Sequence, residues 1–294
     1  MSGSVVGGAG AIRSGAPAPD VTVAACQLAP ALGDIAANLR MIQTAATNAA
    51  RNGADVVVLP ELVTTGYVFE SVEEARGLAE RVDGPSLRAI AALAAERHLV
   101  IVGGFAELTP DGEVYNSAFL IDRSGVRAVY RKAHLWAEEG RWFTPGKQPP
   151  PVVDTDRGRL GILICYDLEF PEWIRIAALT GADLLCVPTN WPASRLPNGE
   201  RPIEVVRAQA AASVDRLFIA VCDRVGPERG TDWVGGSAII SPDGYPLVLA
   251  EAGGRPQTLL ARCELSHARD KSTSPVNNVV ADRRPELYGR VTIT

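Results

Sequence analysis

The stretch Gly53-Ala-Asp-Val-Val-Val-Leu-Pro60 recurs later in the chain as Gly181-Ala-Asp-Leu-Leu-Cys-Val-Pro188. Each copy follows a predicted helix, and its run of apolar residues is typical of a strand that is covered on both faces. We interpret the two copies as related helix–strand units of an α/β fold. A chance match stays open, because glycine after a helix and proline after a strand are both common.

Further helices and strands extend this pattern in both directions. Helices are predicted at residues 38–51, with Asn38 as the N-cap, and at 85–97, 171–181 and 202–213. Strands are predicted at 21–26, 55–59, 99–103, 116–122, 127–131, 159–165, 183–187, 217–221, 237–240 and 246–250. Nothing between them has linker composition, so one αβ domain is expected over residues 21–294. Residues 1–20 are rich in Gly, Ala, Ser and Pro and are expected to form a flexible tail.

The overall composition narrows the class of protein. The 294 residues are 47% hydrophobic and 21% charged, and no apolar run approaches the roughly 20 residues that span a bilayer. The net charge of −5 comes without a cluster of Lys and Arg, so nucleic acid is not an expected partner. These features predict a soluble protein, away from the membrane, that acts on a small molecule.

The cysteines and histidines argue against disulfides and metal sites. The five cysteines are odd in number and irregularly spaced, which favours reduced thiols and a cytoplasmic location. The three histidines, His98, His134 and His267, are dispersed and lack paired-ligand spacing. No metal or organic cofactor is therefore expected. His134 follows Lys132 by two residues and is interpreted as a structural hydrogen-bonding group.

Cys165 differs from the other cysteines in its position. The apolar segment Arg159–Ile164 ends on it, and a polar segment leads directly into the next helix. A thiol at such a turn can face a cleft beside free backbone N–H groups, which suits a nucleophile. From position alone, an inert buried thiol stays open as the alternative.

Three segments, in order and with compatible spacing, carry a resemblance to a known family. They are Pro60-Glu61, Tyr130-Arg-Lys-Ala-His-Leu-Trp136 and Gly161-Ile-Leu-Ile-Cys-Tyr-Asp-Leu-Glu-Phe-Pro-Glu172, and Glu139-Gly-Arg-Trp-Phe-Thr-Pro-Gly146 lies between the last two. The chain resembles the nitrilase-like carbon–nitrogen hydrolases from about Val21 to Tyr288. Each segment alone is weak evidence for the family, because such short motifs occur by chance. Three of them in this order and spacing are strong evidence.

The resemblance implies a four-layer α-β-β-α sandwich with internal pseudo-symmetry, and a cysteine-dependent site. It implies that Cys165 is the nucleophile, Glu61 the general base and Lys132 the group that stabilises the oxyanion. The backbone N–H of Tyr166, next to the thiol, can supply a second donor to that oxygen. The family's second glutamate matches Glu139. Glu138 competes for that role, but Glu139 precedes a glycine and an aromatic pair as the family's glutamate does.

The resemblance also bears on the substrate. True nitrilases typically carry Trp-Glu after the nucleophile, whereas this chain has Tyr166-Asp167, the pattern of the amidase and carbamoylase branches. A small or medium carboxamide is therefore the expected substrate, and a homodimer or larger homo-oligomer the expected assembly. By position, the candidates for contact with the substrate are Tyr67, Trp173, Asn190, Trp191 and Arg195. Ordinary packing stays open as the alternative for Trp173, Asn190 and Trp191, and a solvated side chain for Arg195.

Three other functions stay open. An N-carbamoyl amino acid or amine amidohydrolase would use the same residues but release carbon dioxide with ammonia. A nitrilase and a non-catalytic binding protein of the same fold are the remaining alternatives. The joint presence of Glu61, Lys132, Glu139 and Cys165 argues against the last.

Overall fold

The computed structural model describes residues 18–251 and 254–292. Most of the predicted N-terminal tail, residues 1–17, lies outside the described residues. Within them, no helix is long and apolar enough to cross a membrane. In chain order the strands are β1 Asp20–Gln27, β2 Val56–Val58, β3 Val100–Leu108, β4 Val114–Asp122, β5 Gly125–Arg131, β6 Val152–Thr155, β7 Gly158–Ile162, β8 Leu184–Pro188, β9 Phe218–Cys222, β10 Ala238–Ile240, β11 Pro246–Leu249, β12 Gln257–Glu264, β13 Ser272–Ser274 and β14 Asn277–Asn278.

The helices lie between and beside these strands. They are α1 Ile35–Arg51, α2 Val72–Leu78, α3 Pro85–Arg97, α4 Pro171–Leu179, α5 Ile203–Asp215 and α6 Ser266–Arg269. Short 3-10 turns cover Ala137–Arg141, Cys165–Glu169, Pro285–Leu287 and Gly289–Thr292.

Two six-stranded mixed sheets form the centre of the fold. Their strand orders are β12-β1-β2-β3-β4-β5 and β11-β10-β9-β8-β7-β6. In the first sheet β1, β2 and β3 run parallel, and in the second β7, β8 and β9 run parallel. The two copies of the Gly-Ala-Asp stretch supply β2 and β8, the middle strand of each parallel trio. The repeat thus occupies equivalent places in a pseudo-symmetric sandwich.

Alternating side chains divide the core into layers. Along β1, Val23 and Ala25 point into the core shared by the two sheets. Ala24 and Cys26 point to the opposite face, against α1 and α3. Small residues of α4 and α5, such as Ala177 and Ala208, cover the second sheet. This is the predicted α-β-β-α sandwich.

Several predicted boundaries need correction. Helix α1 begins at Ile35, and its N-cap is Asp34, whose side chain accepts the Ala37 N–H, so the prediction of Asn38 as N-cap was wrong. Asn38 is buried one turn into the helix, where its amide bonds the backbone at Ala31 and Thr64. Strand β7 ends at Ile162, three residues before Cys165, so the thiol begins a 3-10 turn and does not end a strand.

Candidate active site

The candidate side chains follow strands that end on the same side of the molecule. Glu61 comes three residues after β2, Lys132 directly after β5, and Cys165 three residues after β7. Glu61 and Lys132 are fully buried, Glu139 is 3% exposed and Cys165 is 6% exposed. Buried charges are stable only when they are paired and hydrogen-bonded, so the partners of these groups define the site.

Lys132 lies between the two glutamates. Its Nζ donates to Glu61 Oε1 at 2.7 Å and to Glu139 Oε1 at 2.8 Å. The side-chain amide of Asn116 donates to the same two oxygens, at 2.7 and 3.3 Å. The backbone carbonyl of Asn116 also accepts the Lys132 backbone N–H at 2.9 Å. Asn116 therefore joins the ends of β4 and β5 to both carboxylates.

The two glutamates differ in how many of their oxygens are occupied. Glu139 Oε1 accepts from Lys132, Asn116 and, at 2.7 Å, the Tyr67 hydroxyl, and Glu139 Oε2 accepts the Trp136 backbone N–H at 3.0 Å. Glu61 Oε2, in contrast, is buried and has no hydrogen-bond partner among the described residues. An unpartnered buried carboxylate oxygen is costly, and here it marks an oxygen free to accept a proton.

The electrostatics of the site fit a resting thiol next to a weak base. Burial raises the pKa of Glu61 to about 7, with the Lys132 charge opposing this shift and the Glu139 charge adding to it. Burial also raises the pKa of Cys165 well above its ordinary value, as does the Glu61 charge, while Lys132 opposes both. For Lys132, burial lowers the pKa, but the two carboxylates outweigh it and hold the pKa well above its usual range. The site thus combines a protonated thiol, a carboxyl that titrates near neutrality and a permanent cation.

Cys165 is held in a strained turn. Its φ is 47°, in the left-handed region that non-glycine residues rarely adopt, and its Sγ lies 3.9 Å from the Asn190 carbonyl oxygen. The Tyr166 backbone N–H has no acceptor among the described residues, which leaves it available to a ligand at the thiol. Leu62, next to Glu61, and Ala137, in the turn that carries Glu139, also have positive φ.

Asp167 connects the thiol turn to the segment that carries Lys132. It is fully buried. Its Oδ2 accepts the Tyr130 hydroxyl at 2.8 Å and the Ile164 N–H at 3.2 Å. Its Oδ1 accepts the His134 N–H at 3.0 Å and lies 2.7 Å from His134 Nδ1. His134 is therefore a hydrogen-bonding group that anchors Asp167, in agreement with its interpretation from sequence.

Two of the five predicted substrate-contact residues bond the glutamates of the site, and among the described residues the other three do not. Tyr67 bonds Glu139, and Asn190 Nδ2 donates to the Glu61 carbonyl at 2.9 Å, so both touch the cluster directly. The Trp191 N–H donates to buried Asp223, and Trp173 Nε1 donates to the Tyr130 hydroxyl at 2.8 Å. Arg195 is exposed and makes no ion pair with the described residues.

Sequence reasoning missed Asn116 and Gly104. Asn116 occurs early in a predicted strand, where asparagine is uncommon, and that exception was an available signal. Gly104 lies against the turn after β2, where an added Cβ would be 2.2 Å from the Leu62 nitrogen and 2.7 Å from Glu61 Cα. No pattern in the sequence reveals this close approach, because it joins two different strands.

The family described as carbon-nitrogen hydrolase matches residues 22–271 of the chain. Over 272 residues the chain is 34% identical to a protein named nitrilase from Pyrococcus abyssi, covering 92% of this chain and 100% of the relative. Over 269 residues it is 34% identical to an (R)-stereoselective amidase from Pseudomonas sp, covering 90% of this chain and 92% of the relative.

Solved structures of one amidase resemble this fold over almost its whole length. A double mutant of the amidase from Nesterenkonia sp. AN1, in complex with acrylamide, has a TM-score of 0.78 and 30% identity, covering 96% of this chain and 100% of that one. A second structure of that amidase has the acetamide moiety of fluoroacetamide added covalently at its active site cysteine. Its TM-score is 0.74 at 29% identity, covering 95% of this chain and 98% of that one.

Proposed function

This chain belongs to the carbon–nitrogen hydrolase family and is a hydrolase of C–N bonds, and we propose that it converts small or medium carboxamides to carboxylate and ammonia through a thioester on Cys165. The observation that carries the proposal is the contrast between the two buried glutamates. Both oxygens of Glu139 accept hydrogen bonds. Glu61 has one oxygen without a partner among the described residues and a pKa of about 7, beside a protonated thiol. That pairing is what a nucleophile and its general base require.

In the acylation step, Glu61 Oε2 takes the proton of the Cys165 thiol as the sulfur attacks the carboxamide carbon. The C–S bond forms, and the carbonyl oxygen takes on negative charge. Lys132 supplies fixed positive charge near this oxygen, and the free Tyr166 N–H is a second donor. Glu61 then gives its proton to the amide nitrogen, the C–N bond breaks, ammonia leaves and a thioester remains.

In the deacylation step, Glu61 acts as a base again. It accepts a proton from a water molecule, whose oxygen attacks the thioester carbon. The tetrahedral intermediate collapses with cleavage of the C–S bond, and the proton returns to the sulfur. The pKa of about 7 suits this double duty, because the same carboxyl must both accept and donate a proton near neutral pH.

Glu139 has a different part in this scheme. Its four hydrogen bonds leave no oxygen free for proton transfer. Its charge stabilises the Lys132 ammonium, and its Oε1 holds Nζ as a second acceptor beside that of Glu61. The proposal therefore assigns proton transfer to Glu61 and orientation of the cation to Glu139.

The substrate assignment within the family is also part of the proposal. Tyr166-Asp167 follows the nucleophile, as in the amide-cleaving branches, and the Nesterenkonia amidase binds acrylamide in its complex. An N-carbamoyl substrate is the second candidate, because it presents the same terminal amide to the thiol. The name of the Pyrococcus relative keeps nitriles in the test panel.

We extend the proposal to a cytoplasmic homo-oligomer. All five cysteines are buried free thiols, which suits a reducing compartment. Helix α5 exposes Ile203, Val206 and Val214 at helical spacing, and a stripe of this kind is typical of a surface that packs against another chain. Light scattering coupled to gel filtration measures the assembly, and a monomer at micromolar concentration contradicts this part of the proposal.

The decisive experiment measures ammonia release by the purified protein from matched amides, N-carbamoyl compounds and nitriles. The wild type is expected to release ammonia from the amides and little from the nitriles. Cys165→Ala is expected to abolish turnover, while Cys186→Ala, at a fully buried thiol in β8, retains it. Mass spectrometry is expected to find an acyl adduct on Cys165 when the reaction is quenched early. Faster turnover of a nitrile than of its amide refutes the substrate assignment, and release of carbon dioxide favours the carbamoyl alternative.

A further inference from the structure

A buried ion pair lies outside the proposed catalytic residues. Arg224 is 1% exposed, and its Nη1 donates to Glu228 Oε2 at 2.8 Å, with the Glu228 side chain 4% exposed. The guanidinium also donates to the Pro30 carbonyl at 3.0 Å and lies 4.5 Å above the Trp233 ring. A buried ion pair contributes little net stability, because desolvation offsets the attraction. Because the pair adds little stability, we expect it to have a role in holding neighbouring residues in position.

The second oxygen of Glu228 holds a loop of the first sheet. Glu228 Oε1 accepts the backbone N–H of Tyr67 at 2.8 Å and that of Val68 at 2.6 Å. The preceding residue, Gly66, has a φ of 84°, and an added Cβ there would lie 2.8 Å from Glu228 Oε2. The carboxylate is thus wrapped closely by this loop, with both of its oxygens occupied.

Tyr67 connects this loop to the candidate active site. Its ring packs edge-on against Trp233, with ring centroids 5.5 Å apart. Its hydroxyl donates to Glu139 Oε1 at 2.7 Å, the same oxygen that accepts from Lys132. A continuous series of contacts therefore runs from the Arg224–Glu228 pair, through the backbone and side chain of Tyr67, to the glutamate that orients the cation.

We infer that Glu228 is a positioning residue for amide hydrolysis, acting through Tyr67 to hold Glu139 and thereby Lys132 in place beside Cys165. This inference rests on the proposed function. Glu228 makes no hydrogen bond or ion pair with Cys165 or Lys132 among the described residues, and the Tyr67 hydroxyl is the route by which we expect its effect to reach Glu139. Arg224 fixes the orientation of the carboxylate from the opposite side.

The inference predicts a specific electrostatic consequence. The Tyr67 hydroxyl partly neutralises the Glu139 charge, and that charge raises the pKa of Glu61. When Tyr67 is lost or displaced, Glu139 acts on Glu61 more strongly, so the acid limb of kcat/KM is expected to move to higher pH. A substitution that only loosens the fold does not move this limb.

The test uses Glu228→Gln, Tyr67→Phe and the double variant. Glutamine has one acceptor oxygen, which can face either Arg224 or the two loop N–H groups but not both. Its –NH₂ group then faces donors on the other side, and the hydrogen bonds on that side are lost. Glu251→Gln is the matched control, because Glu251 also pairs with an arginine four residues away, Arg255, but is exposed. Each protein is assayed for kcat, KM and the pH profile on a good amide, with melting temperatures recorded.

The rate of Cys165 alkylation by iodoacetamide against pH is a second readout that needs no turnover. We expect each single substitution to lower kcat about tenfold with KM nearly unchanged, and the double variant to be no slower than the slower single variant, because both act through one contact. Both single variants are expected to shift the acid limb and the alkylation profile to higher pH, while Glu251→Gln changes neither.

The outcomes separate the inference from the proposed function. Multiplied effects in the double variant, or unshifted pH profiles in Glu228→Gln, overturn the inference while amide turnover by the wild type stands. A wild type that hydrolyses no amide refutes the proposed function, and the alkylation profiles still decide whether Glu228 acts through Tyr67. If Glu228→Gln does not fold, Tyr67→Phe decides: an unshifted profile in that variant breaks the proposed connection.

Discussion

Replacing Asp167 with asparagine is expected to damage both stability and catalysis, because this carboxylate holds the thiol turn against the segment that carries Lys132. Its two oxygens accept from the Tyr130 hydroxyl and the Ile164 N–H on one side, and face the His134 N–H and ring nitrogen on the other. The asparagine carbonyl can satisfy only one side. Two hydrogen bonds to a charged acceptor are lost, each contributing about 1.5–3 kcal/mol, so the expected cost is about 3–6 kcal/mol.

The magnitude translates into two measurements. For a chain of this size a loss of 1 kcal/mol lowers Tm by roughly 2–4 °C, so calorimetry is expected to find a decrease of about 6–24 °C. At a temperature where the variant stays folded, kcat/KM is expected to fall about 100-fold, because a shift of the nucleophile by about 1 Å is that costly.

Asp122→Asn is the control for this prediction. Asp122 is also a buried carboxylate with several donors, the Ser124 N–H and hydroxyl and the Arg127 guanidinium, but it lies at the turn between β4 and β5. We expect that variant to lose stability and to keep its kcat/KM when folded. Equal losses of activity in the two variants, or normal activity in folded Asp167→Asn, would refute the positioning argument.

Two further predictions follow from the structure. In the proposed mechanism Glu61 must be ionised to accept the thiol proton, and its pKa is raised to about 7, so kcat/KM is expected to fall as the pH drops below about 7. Lys132 stays charged over this range because its pKa is held well above its usual value, and an acid limb near 4.5 in the kcat/KM profile contradicts the assignment of Glu61. Gly104→Ala is expected to lower kcat/KM at least about tenfold, because the new Cβ meets the backbone of Glu61 and Leu62 and neither can move away freely. Gly77→Ala, in α2 with open space around it, is the control for Gly104→Ala, and equal kinetics of the two variants argue against the close approach.

The sequence predicted the elements that have strong local signals. Helix α3 begins and ends at Pro85 and Arg97 as expected, because a proline at the first helical position and the apolar spacing both mark it. Strand β12 was missed, although it pairs with β1 along eight residues. Its exposure alternates irregularly because it is an edge strand, so the period-two pattern is weak.

The limits of sequence reasoning are clearest inside the candidate site. The motifs name Glu61, Lys132, Glu139 and Cys165, but they do not distinguish which glutamate keeps a free oxygen. Tyr67 and Trp136 both donate to Glu139, whereas Glu61 Oε2 has no hydrogen-bond partner in the part of the chain that the structure describes. The Trp136 contact is local, three residues along the chain, but the Tyr67 contact joins residues 72 positions apart, and no periodicity or spacing encodes it.

The internal repeat gives a physical reason for the position of the candidate site. Strands β2 and β8 are the middle strands of two equivalent parallel trios, and each copy ends in a proline that stops the ladder. The chain after one proline supplies Glu61, and the chain after the other supplies Asn190, whose amide donates to the Glu61 carbonyl and whose own carbonyl lies beside the Cys165 sulfur. The Glu61 N–H in turn lies 3.4 Å from the Thr189 carbonyl.

The two copies therefore meet at their carboxyl ends and fix each other's turns with reciprocal bonds. A strained turn persists only where its surroundings hold it in place, and here the left-handed residues Leu62 and Cys165 lie on either side of this junction. Because the two copies differ in sequence after their prolines, one turn can present a carboxylate while the other presents only neutral hydrogen-bonding groups. The pseudo-symmetric backbone thus brings the two turns together. The difference between Glu61 in one turn and Asn190 in the other places a single carboxylate at this junction.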